Sequence, residues 1–371
     1  MSLLSDLVRK DFEINDTIYF LNHAAGKPLK THATIFENQY FNNWKTNEPW
    51  SSWLGILNEF QQNLGLLLNT DAANICPQAN VSSALTKLFF SLPKQAGKNT
   101  IVLSEQEFPT VGFVAKMATA LGYQLKFISK EIPQTDFEVW KNALTEDVQF
   151  AIITHAQSNT GAQIPVKEIV EHCTTKNIIS IIDVAQSVGV MPININEWQP
   201  SFVIGSCLKW LCSGPGAGFL YVNPSILPQC KPIDVGWFSH EQPFEFDIHH
   251  FEYNKTARRF LGGTPNVAPF VIANHSLQYL NKIGIDTIRK HNLFLTQQII
   301  DSATEYVVSP TAEAQRSGTV VLHFKEKHEA ILNQLKERNI IFDTRIYGIR
   351  ISPHLYNTTE EIVQLLQPIQ S

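Results

Sequence analysis

Three features of this 371-residue chain could do chemistry together. Asp183 ends an apolar run, Ile178-Ile-Ser-Ile-Ile-Asp183. Lys209 follows 26 positions later, inside the uncharged stretch Gly205-Ser206-Cys207-Leu208-Lys209-Trp210-Leu211, and a Gly214-Pro215-Gly216 turn comes next. An isolated Lys near a strand end is ordinarily a solvated charge. Among apolar neighbours it has either a depressed pKa or a covalent partner, and both suit a lysine that forms a Schiff base with a carbonyl compound. A carboxylate at the end of a buried strand needs a cationic partner to stay ionised. A pyridinium nitrogen would serve, which is the electronic control expected for pyridoxal 5'-phosphate.

The elements that must position these residues are legible as short apolar runs alternating with amphipathic segments. Strands are expected at Ile101–Ser104, Tyr123–Ile128, Phe150–His155, Ile178–Asp183, Phe202–Cys207 and Gly218–Val222, several of them continuous enough in Val, Ile and Phe to be covered on both faces. Helices are expected at Val111–Leu121, Asp136–Leu144 and Val166–Lys176, the last just after Pro165. Strand–helix alternation predicts an α/β fold with a mostly parallel central sheet covered by helices. In such a sheet ligands bind at the carboxyl ends of the strands, where Ser104, His155, Asp183 and Lys209 fall. After Pro265 the texture changes to a long helical region from Asn266 to Tyr306. A strand (Thr319–Phe324), a helix (Glu326–Arg338), two short strands (Ile340–Phe342, Ile349–Ser352) and a closing helix (Thr359–Leu366) follow. This predicts a smaller C-terminal α+β domain. The division reads as an N-terminal segment 1–20 near the small domain, a large domain 21–262 and a small domain 263–371, with the glycine pair Gly262–Gly263 at the boundary.

Composition narrows the function classes. The formal charge is −5, from 29 Lys+Arg against 34 Asp+Glu, which argues against nucleic-acid binding by phosphate neutralisation. A charged fraction of 17% with 44% apolar residues excludes disorder. No stretch approaches the roughly 18 apolar residues of a membrane span, and the charged N-terminus is no signal peptide. Five cysteines (Cys76, Cys173, Cys207, Cys212, Cys230) without metal-ligand spacing read as reduced, buried thiols of a cytoplasmic protein, with no metal site. The Gly214–Gly218 string precedes a strand and no helix, so a nicotinamide-dehydrogenase fingerprint is missing. P-loop, nucleophile-elbow and H-E-x-x-H motifs are absent too.

The segments Asp183-Val-Ala-Gln186-Ser-Val-Gly189, Ser206-Cys-Leu-Lys209 and Gly214-Pro-Gly-Ala-Gly218-Phe-Leu-Tyr resemble the class V aminotransferase family of fold-type I pyridoxal-phosphate enzymes. That family includes cysteine desulfurases, isopenicillin N epimerase-like proteins and kynureninases. Tyr19-Phe-Leu-Asn22-His23-Ala-Ala-Gly26 resembles its N-terminal substrate loop, Arg258-Arg259-Phe-Leu-Gly-Gly263-Thr264 its inter-domain segment, and Arg350-Ile-Ser-Pro-His-Leu-Tyr356-Asn-Thr its C-terminal strand. The matches run in one order through nearly the whole chain.

The resemblance implies roles position by position. Lys209 would carry the cofactor as a Schiff base and move protons, and Asp183 would face the pyridine nitrogen. Gln186 would contact the ring's phenolic oxygen and Phe108 would stack on the ring. Asn80, Val81 and Ser82, also a plain helix cap, would hold the phosphate at a helix N-terminus, with Ser206 adding a hydroxyl and Trp237 a donor as in kynureninases. Thr264 would reach the phosphate of a neighbouring subunit, which implies a homodimer with composite active sites. Arg350 would bind the α-carboxylate of a small amino-acid substrate, because a planar fork suits it, with Asn22, His23 and Asn159 lining the same cavity. Aminotransferase is the expected activity. A kynureninase-like hydrolase, a lyase or an epimerase is the alternative, and a catalytically silent binding protein on the same fold is the reading from another class. Desulfurase activity is not expected, since no Cys lies between Ser309 and Ser352. Leu208 stands where desulfurases have His and kynureninases Tyr, and Val111 where kynureninases tend to have Asp.

Overall fold

Runs of Val, Ile and Phe with no polar alternation need cover on both faces, and here they pair into one seven-stranded sheet. In the computed structural model, which describes residues 4–46 and 48–370, its strands are Ile75–Gln78 (β1), Thr100–Ser104 (β2), Gln124–Ile128 (β3), Val148–Thr154 (β4), Ile179–Asp183 (β5), Phe202–Ser206 (β6) and Gly218–Val222 (β7). Their spatial order is β1-β7-β6-β5-β4-β2-β3. Strands β2 to β6 are parallel, while β7 runs antiparallel to β6 and β1 antiparallel to β7. Every residue of β2, β4, β5 and β7 is buried. Alternate residues feed two separate cores: Val102, Ala151, Ile153 and Val203 belong to one, and Ile101, Phe150, Ile152 and Phe202 to the other.

The antiparallel pairing of β7 has a consequence for the site. Ser206 pairs with Gly218, so residues 207–217 form the closed end of a hairpin that carries Lys209. Strand β1 escapes the sequence reading because it is short and contains Pro77. A proline is tolerated there because β1 is an edge strand with β7 as its single neighbour. The 19-residue helix Trp50–Leu68 lies outside every sequence expectation; it packs on the helix Ala268–Ile283, with the Phe60 and Phe270 ring centroids 4.7 Å apart.

The long helical region expected from Asn266 to Tyr306 is two helices, Ala268–Ile283 and Ile285–Ser302. They are separated by Gly284, whose φ of 86° no helical residue adopts. Beyond them lies an antiparallel sheet of Val320–Leu322 (β8), Asp343–Arg345 (β9) and Gly348–Ile351 (β10), in the order β9-β10-β8. Helices His328–Glu337 and Thr359–Gln370 complete this part. Ile18–Tyr19 pairs in parallel with Ile340–Ile341, and Leu21 bridges to Ser352. A third core joins Ile18 and Phe20 to Ile299, Val320, Ile349 and Ile362. The chain's beginning is thereby tied to its end, and Asn22 and His23 are set beside β10.

Candidate active site

The carboxyl ends of the parallel strands open onto a cavity of about 340 Å³. Of the residues singled out by sequence, Asp183, Lys209, Gln186, Ser206, Phe108, Asn80, Val81, Ser82, His23 and Arg350 all line it. Residues distant in sequence meet there because β2, β4, β5 and β6 deliver their ends to one edge.

Asp183 closes β5 and is buried. Its Oδ1 accepts a hydrogen bond from Ala185 N at 2.8 Å, and among the described residues it has no ion-pair partner within 4 Å. Burial pushes its pKa up, against the opposing pull of the Ala185 amide and Lys209. Lys209 is held on the hairpin end, its Nζ 5.6 Å from the centroid of the Phe108 ring. Burial pushes its ammonium down; Asp183 opposes that shift, and Arg350 and Arg345 reinforce it. The backbone around it is fixed: Gly26 N donates to Leu208 O at 3.1 Å and Cys212 N to Lys209 O at 3.0 Å. Phe108 keeps 42% of its surface exposed although apolar, a face that a planar ring could cover.

On a third side stands the N-terminus of the helix Val81–Phe89. Asn80 caps it in an extended conformation, its side chain accepting from Ser83 N at 2.9 Å, while Ser82 Oγ donates to Asn80 Oδ1 at 2.7 Å. A cap of this kind leaves the first N–H groups directed outward, toward an anion.

His23 is buried and its imidazole is pushed down by burial to about 4, so it is neutral at ordinary pH. Its Nδ1 lies 2.6 Å from Ser352 Oγ and its Nε2 2.9 Å from Asp343 Oδ1. Gln186 Nε2 donates to the His23 carbonyl at 3.1 Å. Asn22 does not line the cavity: its amide is spent on Ser352 O at 2.7 Å, on Asn357 and on the Tyr356 hydroxyl. Nor does Asn159, whose neighbour Ser158 does. Trp237 and Thr264 meet each other, Nε1 donating to Oγ1 at 3.2 Å, but neither lines the cavity.

Sequence reasoning singled out none of Glu107, Arg345 and Asp343. Thr154 Oγ1 donates to Glu107, whose carboxyl burial pushes up to about 8. Arg345 lines the cavity, and Asp343 holds both His23 and Arg350. The register of the β9–β10 hairpin is what brings the last two in, and the turn glycine Gly348 is the one sequence signal for it. Outside the cavity His240 and His250 flank Glu245, each 2.9 Å from a different carboxylate oxygen. Two nitrogens on two oxygens at that distance make a hydrogen-bonded bridge.

The residues present suit pyridoxal phosphate. Among the described residues a buried carboxylate lacks an ion-pair partner and a lysine amine with a lowered pKa lacks a hydrogen-bond partner, while an aromatic face lies open and a helix N-terminus offers donors. Comparison with known proteins agrees. The profile of the aminotransferase class-V family matches residues 51–365. An uncharacterized aminotransferase of Bacillus subtilis, YcbU, is 29% identical over 84% of this chain and 81% of its own. A kynureninase of Deinococcus radiodurans is 25% identical over 91% of this chain and 85% of its own. In fold, the chain matches the apo structure of a cysteine desulfurase from Thermococcus onnurineus with a TM-score of 0.87, at 20% identity, over 100% of this chain and 98% of that one.

Proposed function

The chain belongs to the class-V aminotransferase family of pyridoxal-phosphate enzymes, and within it we propose an aminotransferase that moves the amino group of an amino acid. The observation that carries this reading is how few groups in the cavity can exchange a proton. Its titratable lining residues are His23, Asp183, Lys209, Arg345 and Arg350. Both His23 nitrogens are engaged, Asp183 sits at the strand end, and arginines stay protonated. Among these lining residues Lys209 Nζ is left as the one base. A single base that takes a proton from the substrate's α-carbon and returns it nearby is what transamination needs.

Pyridoxal phosphate bound here supplies an electron sink for charge left on the reacting carbon. In this reading the Asn80–Ser82 cap and Ser206 bind its phosphate, Phe108 covers one face of the ring, Gln186 approaches the ring's edge and Asp183 neutralises the pyridinium. Arg350 orients the substrate by its carboxylate, and Leu208 shields the amine of Lys209 from water. Residues 21–262 are then the cofactor-binding lobe, 263–371 the smaller lobe, and 1–20 a segment packed beside it. Desulfurase chemistry fits poorly: residues 309–352 hold no cysteine, and burial pushes Cys76, Cys173 and Cys230 up to about 12. The segment Gly236–His240 and the kynureninase relatives favour a hydrolase as the second reading, against which Leu208 weighs.

The test is a screen of amino acids with the holoenzyme and a 2-oxo acid acceptor. Transamination is expected to yield the donor's oxo acid and the acceptor's amino acid in equal amounts. Ammonia or a side-chain cleavage product with no transfer to any acceptor would overturn it. Arg350→Ala is expected to raise KM roughly 30-fold or more while sparing cofactor binding; an unchanged KM would remove Arg350 from substrate binding. We also propose that Trp237 and Thr264 complete the cavity of a second copy. Sedimentation should then show a dimer, and a fully active monomer would refute the composite site.

A further inference from the structure

Arg350 enters the cavity already held. Of its five N–H groups, Nε donates to Asp343 Oδ1 at 2.8 Å, Nη2 to Asp343 Oδ2, and Nη1 to Ser158 O at 2.8 Å. One N–H therefore remains on each terminal nitrogen. The side chain is 3% exposed, and it lines the cavity. Asp343 faces Arg350 directly across the β9–β10 hairpin, so its carboxylate meets the guanidinium along the Nε edge and leaves the tip alone. Asp343 is itself fixed by His23 Nε2 at 2.9 Å. His23 Nδ1 lies 2.6 Å from Ser352 Oγ, which is 2.7 Å from Thr319 Oγ1.

On the reading that the cavity takes an amino acid, we propose that Asp343 is a positioning residue for Arg350. Held along its side edge by Asp343 and on Nη1 by Ser158, the guanidinium turns its remaining pair of N–H groups toward the cavity as the receptor for the substrate's carboxylate. Arginine has many rotamers, and fixing it in advance removes that entropy from the binding step. The Asp343 charge also offsets the repulsion between Arg350 and Arg345, whose Nε is 3.7 Å from Asp343 Oδ2. The sequence Thr319, Ser352, His23, Asp343, Arg350, Ser158 is thus one chain of contacts from the residue before β8 to the loop after β4.

Two reagents test this without knowledge of the substrate. Aminooxyacetate and O-ethylhydroxylamine attack the cofactor with the same aminooxy nitrogen, but only the first carries a carboxylate. Each bleaches the visible band of the holoenzyme, and the ratio of their second-order rates reads the carboxylate receptor, with the carboxylate-free reagent as internal reference. The wild type is expected to prefer aminooxyacetate, and Asp343→Asn to lower that ratio roughly tenfold or more, as Arg350→Lys should. Asp343→Glu, which keeps the charge but moves it by one methylene, should lower it less; if Asp343→Asn does not fold, this smaller drop is the expected result and an unchanged ratio overturns the proposal. A general structural defect would slow both reagents alike. An unchanged ratio overturns the proposal. So does a raised one, because Asp343 would then be a competitor that the substrate's carboxylate displaces. A wild type with no visible band fails the cofactor reading, whereas equal bleaching by the two reagents leaves that reading standing and fails this proposal.

Discussion

The purified wild-type chain is expected to be yellow, and borohydride is expected to fix its cofactor on Lys209, as peptide mapping by mass spectrometry would show. The physical reason is a lysine whose amine is uncharged more readily than usual and whose backbone cannot move away. Burial lowers its pKa, so more of the nucleophilic free amine is present at neutral pH. The hairpin end that carries it is closed by Cys207 N to Ala217 O at 3.0 Å and Ser213 N to Cys207 O at 3.1 Å. Trp210, fully buried next to it, has its carbonyl taken by His354 Nε2 at 2.8 Å. On the proposed reading Lys209→Ala would remove both the attachment and the base. Turnover should fall by about 10²–10⁴-fold from the loss of proton transfer alone. A wild-type chain that takes up no pyridoxal phosphate would end the reading of this cavity.

The parts of this site that sequence makes legible are those where residue type and neighbourhood already conflict. A lysine in an apolar stretch and a carboxylate at the end of a buried strand are both costly unless they are used, and both line the cavity. Asn80 is legible for a different reason, since a cap residue before an amphipathic run fixes a helix start within a residue or two. Asp343 is invisible by the same logic. In Phe342-Asp-Thr-Arg345 it sits among ordinary polar neighbours, and its role exists only once the hairpin sets it opposite Arg350. Asn22 shows the converse failure. A polar residue in the right loop was expected in the cavity, but the Leu21–Ser352 bridge turns its amide onto the closing segment of the chain. Strands are legible in the sequence where apolar residues dominate them, and β1 of the central sheet and β9 of the small one are not, because one holds a proline and the other no apolar residue.

Asp183→Asn is expected to separate stability from activity in opposite directions. A free Asp titrates near 4, and burial raises Asp183 above that in the ligand-free fold. The folded chain therefore holds this proton at pH values where the unfolded chain has lost it. By linkage, the stability of the ligand-free protein falls as pH rises from about 4 through the folded-state value. Asparagine carries no such penalty, so the ligand-free variant should melt above the wild type at neutral pH, and the gap should close below about pH 4. With pyridoxal phosphate present the sign reverses for function. On the proposed reading the carboxylate would then meet a pyridinium, and its loss should lower turnover by about 10²–10³-fold, the scale of one preorganised electrostatic contact. Differential scanning fluorimetry across pH and steady-state assays on the same preparations check both halves. A variant that melts below the wild type at neutral pH would mean that Asp183 is already satisfied within the protein. A variant with unchanged turnover would mean that the pyridine nitrogen does not face it. Residues that cost a fold stability when its ligand is missing are those whose partner the ligand supplies, and Asp183, the one acid that lines the cavity, has no ion-pair partner among the described residues.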